Sequence, residues 1–219
     1  MRHIVIHGIY HSGTSILKSL LGEHTNVYNE IAETTKLPDH PRIIKSHDFS
    51  VIKSPYIQQE NTYHTSCYLI TIIRNPYYTY NSLLMRFKTG IPTEVDLFKE
   101  YEKIQHLQRT KVIRYEDIFL ANFMRDLCHD IGFVWNPEVL NKKHTIFTNR
   151  RKKIYGVHKE HNHFREEQIN QKFENKNDIN KLMLNKKNLD LIRSVKHLWQ
   201  KYYPETQKIH DHCFNNLKT

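Results

Sequence analysis

The chain has 219 residues, enough for one domain with a sizeable core, and its 11% aromatic content excludes a disordered polypeptide. Lys and Arg total 33 against 23 Asp and Glu, a formal net charge of +10, so the composition suits an anionic ligand without choosing among nucleotide, nucleic acid and acidic acceptor. Cys67, Cys128 and Cys213 lie far apart with no C-x-x-C pair, which argues against a disulfide framework and for a reducing compartment.

No apolar leader or run of 18 apolar residues follows Met1, so a cytoplasmic protein is expected, neither secreted nor spanning a membrane. Residues 3–7 alternate and are rich in β-branched side chains before Gly8, which predicts a first strand. Ile16, Leu17, Leu20 and Leu21 then mark one face of a helix starting near Thr14. Further strands are expected at 43–46, at 68–73 (apolar enough to lie centrally in a parallel sheet) and at 111–114. Helical patterns fall at about 76–88, 94–108 and 116–131, and a last amphipathic helix near 187–203. Strand alternating with helix predicts an α/β fold, a parallel sheet flanked by helices, with a helical C-terminal part and residues 1–219 as a single domain. Asn and Lys crowd the second half, a bias that gene composition alone can produce.

The first strand leads into Gly8-Ile9-Tyr10-His11-Ser12-Gly13-Thr14-Ser15, whose two glycines have the spacing of a phosphate-binding loop between strand and helix. Thr14 stands where a nucleotide triphosphatase carries its Lys, and Lys18 lies a turn further on, which argues against ATP or GTP hydrolysis. A glycine turn that merely packs strand against helix is the competing reading of this segment.

Ser12, Gly13, Thr14 and Ser15 match the [KR]-S-G-T-[ST] loop of the sulfotransferases that use 3′-phosphoadenosine 5′-phosphosulfate (PAPS), with His11 in place of Lys or Arg and Ile16 in place of a Trp. Pro41-Arg42-Ile43-Ile44-Lys45-Ser46-His47 resembles the P-R-[IL]-I-K-T-H segment of the cytosolic members. Arg74-Asn75-Pro76 with Ser82 resembles the R-N-P-x-x-x-x-x-S element, Tyr115-Glu116-Asp117 the Y-E-D, and Arg151-Lys152-Lys153-Ile154-Tyr155-Gly156 the late R-K-G-x-x-G loop, with Lys153 replacing a Gly. These matches run from residue 8 to 156 in family order, and the whole chain is short for the family.

The resemblance implies a P-loop-like sulfotransferase fold and transfer of a sulfuryl group from PAPS to a hydroxyl or amine acceptor, without a metal. It implies that His11, Ser12, Gly13, Thr14 and Ser15 take the 5′-phosphosulfate, that Arg74, Ser82, Arg151 and Lys152 take the 3′-phosphate, and that Tyr115 lies beside the adenine. His47 as base and Lys45 as stabiliser of the transferring group are its catalytic residues. Chemically this is coherent, since a His can accept the acceptor's proton while a nearby ammonium offsets charge on the sulfuryl oxygens. Glu30 and Glu33 resemble the base of tyrosyl-protein and some carbohydrate sulfotransferases and compete with His47 for that role. The acceptor class stays open among small molecules, carbohydrates and peptides, with no nucleic acid or membrane partner expected. A P-loop nucleotide or nucleoside kinase and a non-catalytic polyanion-binding module remain as alternatives. His158, His161, His163, His210 and His212 have no companion Cys or carboxylate pattern that would complete a metal site.

Overall fold

The computed structural model describes residues 2–9, 11–23, 27–32, 49–53, 67–87, 97–141, 143–144, 171–172, 175 and 177–217. Five strands form one parallel sheet: β1 (Arg2–Gly8), β2 (Val27–Ala32), β3 (Phe49–Lys53), β4 (Tyr68–Ile73) and β5 (Lys111–Arg114), in the spatial order β2-β3-β1-β4-β5. Parallel neighbours require crossover connections rather than tight hairpins. Helix α1 (Thr14–Gly22) joins β1 to β2, and α2 (Pro76–Arg86) with α3 (Leu97–Ile104) lies between β4 and β5. Beyond β5 come a 3-10 turn (Asp117–Phe119), α4 (Ala121–Ile131) and a second 3-10 turn (Pro137–Asn141). Lys143–His144 (β6) and Gln171–Lys172 (β7) form a short antiparallel pair, and the C-terminal part carries α5 (Lys186–Ser194) and α6 (Thr206–Asn216).

Alternation along the central strands sends successive side chains to opposite faces, so each face builds its own core. On one face Ile4, Ile6, Ile70, Ile72 and Ile113 pack against Leu17, Leu20 and Leu21 of α1 and Met124, Leu127 and Ile131 of α4. On the other, Ile73 joins Tyr77 and Leu83 of α2, Tyr101 of α3, and Leu189, Ile192, Trp199 and Tyr203 of the C-terminal part. Both faces are therefore covered, as the continuous apolar run of β4 requires.

The expected α/β class and the strands at 3–7, 68–73 and 111–114 are present. The strand expected at 43–46 lies outside the described residues; β2 and β3 were not among the expected strands. The helix expected over 116–131 begins only at Ala121, because Leu120 adopts an extended backbone after the 3-10 turn. The helix expected over 187–203 ends at Ser194; a 3-10 turn (Lys196–Leu198) follows, and Pro204 precedes α6. No helix among the described residues is long and apolar enough to cross a membrane.

The topology fixes where a site can form. β1 and β4 are adjacent, with Gly8 level with Ile72. The chain leaving β1 travels through α1 to the β2 edge, whereas the chain leaving β4 travels through α2 and α3 to the β5 edge. Where two such connections part, a crevice opens outside the carboxyl ends of the strands. Truncating the second core should be costly: Trp199, 1% exposed, replaced by Ala should lose about 3–5 kcal/mol in urea unfolding. Leu217→Ala, at a position 46% exposed, should stay within about 0.5 kcal/mol of wild type in the same assay.

Candidate anion-binding site

The glycine loop after β1 is shaped by contacts that leave no room for side chains. A Cβ on Gly8 would sit 2.4 Å from the Ile72 carbonyl oxygen of the neighbouring strand. One on Gly13, whose φ of +99 places it in the left-handed region, would meet the Tyr115 ring at 2.4 Å. His11 also has a positive φ, of 61, a conformation that His tolerates better than most residues. The turn closes with Ser12 N–H donating to the Ile9 carbonyl at 3.0 Å, and α1 begins with Leu17 N–H donating to the Gly13 carbonyl at 3.0 Å.

Gly13 has no side chain to cap α1, and the first turn carries no acidic residue. The leading N–H groups of the helix therefore face the crevice side of the loop without a side-chain cap or a compensating negative charge. Ser12 is fully buried, and its Oγ has no hydrogen-bond partner among the described residues. Such an arrangement suits a phosphate-like anion.

The Arg74 segment comes alongside. Asn75 caps α2 by accepting from Tyr77 N–H at 3.1 Å, and Pro76 takes the first helical position, where its missing N–H has no cost. The Arg74 carbonyl is held by the Tyr101 hydroxyl from α3. The Arg74 side chain lies over the Tyr115 ring, 4.6 Å from its centroid, and its Nη1 donates to the His11 carbonyl at 3.3 Å. Ser82, one and a half turns into α2, meets His11 directly: Oγ and Nδ1 are 2.7 Å apart. His11, Arg74 and Ser82, which come from two separate stretches of sequence, are thus neighbours at the carboxyl ends of β1 and β4.

Sequence reasoning did not find Asn177 behind these, nor the part that Glu116 plays. Asn177 Oδ1 accepts from Arg74 Nε at 2.8 Å and from Nη2 at 2.6 Å. Glu116 accepts from Asn177 Nδ2 at 2.6 Å, from Asn75 N–H at 3.3 Å and from the Tyr203 hydroxyl at 2.8 Å. Burial, above all, raises the Tyr101 and Tyr203 hydroxyls well beyond the ordinary tyrosine value, so both stay protonated donors.

Tyr115 is 3% exposed, wedged between Gly13, Arg74 and Phe119, and it supports the loop from below. Thr14 and Ser15 open α1. Glu30 belongs to β2 and pairs with Val51 of β3, which is level with Ile4 of β1. That is four residues before Gly8, roughly 13 Å short of the loop along the strand direction. Glu33, Lys45, His47, Arg151, Lys152 and Gly156 lie outside the described residues. Among the described residues no group of three His, Cys, Asp or Glu is gathered that would hold a metal ion.

The chain matches no protein-family model and no curated protein. Among solved structures it is similar to mouse sulfotransferase SULT7A1 complexed with PAP, at 14% identity and a TM-score of 0.44, over 91% of this chain and 89% of that one.

The close approach of Gly13 to Tyr115 is directly testable. Gly13→Ala should lower unfolding free energy by at least about 2 kcal/mol, combining the left-handed backbone penalty with the ring clash. With Tyr115→Ala added, the double variant should lose less stability than the two single losses summed, because the clash disappears with the ring. Simple additivity in that cycle would mean that the two residues are not in contact.

Proposed function

We propose that the chain is a sulfotransferase that moves a sulfuryl group from PAPS to a hydroxyl or amine acceptor. What carries the reading is the contact between the two halves of the crevice. His11 in the glycine loop touches Ser82, and Arg74 reaches the His11 carbonyl. The motif residues expected to serve opposite ends of one bis-anionic nucleotide are therefore neighbours, although 63 and 71 positions separate them in sequence.

In this reading the 5′-phosphosulfate sits against the loop and the start of α1, where Ser12 Oγ and the helical N–H groups receive it. Arg74 and Ser82 take the 3′-phosphate, joined by Arg151 and Lys152. A guanidinium offers donors in a rigid fork that matches phosphate oxygens, and three of the five Arg74 N–H groups are taken by Asn177 and the His11 carbonyl. The remaining two are what a phosphate would use.

The reaction is displacement at sulfur. His47 takes the proton from the acceptor as its oxygen or nitrogen attacks, and the S–O bond to the 5′-phosphate breaks. Lys45, the loop N–H groups and His11 offset charge on the sulfuryl oxygens and on the leaving phosphate. Glu33, immediately after the carboxyl end of β2, competes with His47 for the proton; Glu30 enters that competition from further down the strand. The acceptor is a small molecule, a carbohydrate or a peptide. The absence of the loop Lys weighs against a kinase, whose donor phosphates need that ammonium.

Calorimetry with the product nucleotide 3′-phosphoadenosine 5′-phosphate (PAP), AMP and ATP tests the donor. PAP should bind at least about tenfold more tightly than either, a step of about 1.4 kcal/mol that one charged hydrogen bond supplies. Equal affinity for PAP and AMP would remove the proposal. For the base, His47→Ala should reduce turnover by roughly 10² to 10⁴ with PAP affinity nearly unchanged. Full turnover in that variant, with collapse in Glu33→Gln, would hand the role to the carboxylate.

A further inference from the structure

Arg74 reaches the glycine loop through the His11 carbonyl, and Glu116 is linked to Arg74 through a shared partner. The two do not pair. Asn177 stands between them, its amide oxygen accepting from Nε and Nη2 of Arg74 and its amide nitrogen donating to Glu116 Oε1. Among the described residues Arg74 has no carboxylate partner.

We propose that Asn177 is a positioning residue that holds the anion-binding fork of Arg74 in place while keeping Glu116 from pairing with it directly. The inference rests on the proposed role of Arg74 toward the 3′-phosphate and deepens it. A carboxylate in the place of Asn177 would hold the guanidinium equally well, through the same two donors, but would neutralise it and repel an incoming phosphate. A neutral amide gives the geometry without the neutralisation. The amide also accepts from the arginine and donates to the acid at once.

Asn177 is placed for this by the chain around it. Its own N–H donates to Asn175 Oδ1 at 3.0 Å. Just beyond, Asp178 caps the short turn Ile179–Lys181 by accepting from Asn180 N–H at 3.0 Å. Asn81 of α2, buried, then binds this strap at two points, donating to the Lys181 carbonyl at 3.2 Å and accepting from Met183 N–H at 2.7 Å. The strap is thus tied to the same helix that carries Ser82. The other face of Arg74 lies on the Tyr115 ring, which adds attraction for the cation but no opposite charge.

The test exchanges the charge across the relay. The double variant Asn177→Asp with Glu116→Gln reverses the bond between the two side chains, the new amide donating to the new carboxylate, and keeps the Tyr203 contact on the amide oxygen; it gives up the 3.3 Å bond from Asn75 N–H, which shares the oxygen facing residue 177. The carboxylate has moved from the far side of the relay onto Arg74. PAP affinity should fall at least about tenfold in this variant while AMP affinity changes less than about threefold, so discrimination for the 3′-phosphate collapses. Glu116→Gln alone should keep the wild-type PAP-to-AMP ratio within about threefold, since that side chain bonds Asn177 and not Arg74. Wild-type discrimination in the double variant would overturn the proposal. Should that variant not fold, Asn177→Ala removes the relay without adding charge; an unchanged PAP-to-AMP ratio there would overturn the proposal as well. If the unaltered protein bound PAP and AMP equally, the failure would belong to the role given to Arg74, a result distinguishable from failure of the relay.

Discussion

Glu116 receives three donors from three parts of the chain: the backbone of Asn75 at the end of β4, the amide of Asn177 in the strap, and the hydroxyl of Tyr203 ahead of α6. A half-buried carboxylate without donors would be strongly unfavourable, and these bonds make its position tolerable only when all three segments are in place. The dependence runs outward from there. Asn75 adjoins Arg74 and caps α2; Arg74 reaches the glycine loop; and Tyr203 belongs to the core beneath α5 and α6. The crevice is consequently not a property of the glycine loop alone. Its shape is set by a C-terminal part that contributes no recognisable motif.

The same strand end supplies both supports of the site. β5 finishes at Arg114, and Tyr115 N–H still donates to the Ile73 carbonyl at 2.7 Å, extending the ladder with β4 by one more bond. Tyr115 goes beneath Gly13 and Arg74, while Glu116 goes to the hydrogen-bonded hub. Arg114 is turned toward the C-terminal part, pairing with Glu205 at 3.2 Å and lying over the Tyr203 ring at 4.9 Å. Three consecutive residues thus bind three different layers. A shift of β5 by one position would misplace all of them, which is why the ladder's register matters to the loop.

What the sequence discloses follows from how each residue earns its place. β1, β4 and β5 were legible because buried central strands need β-branched apolar runs, and α1 because Leu17, Leu20 and Leu21 recur on its inward face. α6 was not, since the residues it buries include Thr206 and His210, which carry no apolar signal; His210 meets the Tyr77 hydroxyl at 3.0 Å instead. β2 and β3 mix polar and apolar residues over five or six positions and pass for loop. Within the site, glycine spacing and the Arg-Asn-Pro run pointed to the loop and to Arg74, because turns and caps demand particular residue types. Asn177 had no such demand. It lies in a stretch crowded with Asn and Lys, where one asparagine looks like the next, and only the fold separates the one touching Arg74 from its neighbours. Glu116 was visible as part of a motif but not as a hub, since two of its three donors arrive from residues 177 and 203.

The overall charge of +10 does little to explain recognition at such a site. Charges spread over a surface are screened within about 8 Å at physiological ionic strength, so they raise the encounter rate of any polyanion without selecting one. Selection has to come from a cation whose direction is fixed and whose charge is not already matched. Among the described residues, the groups contacting the Arg74 side chain are a backbone carbonyl, an amide and an aromatic face, all neutral. Elsewhere the charged side chains behave differently: Arg114, Lys111 and Lys186 all sit on carboxylates. The arginine beside the glycine loop differs from these three. Immobilising a guanidinium with neutral partners holds it in one orientation yet leaves its field to be answered by something from outside. An anion that fits the remaining donors then gains the full charge-assisted bond without first displacing a carboxylate.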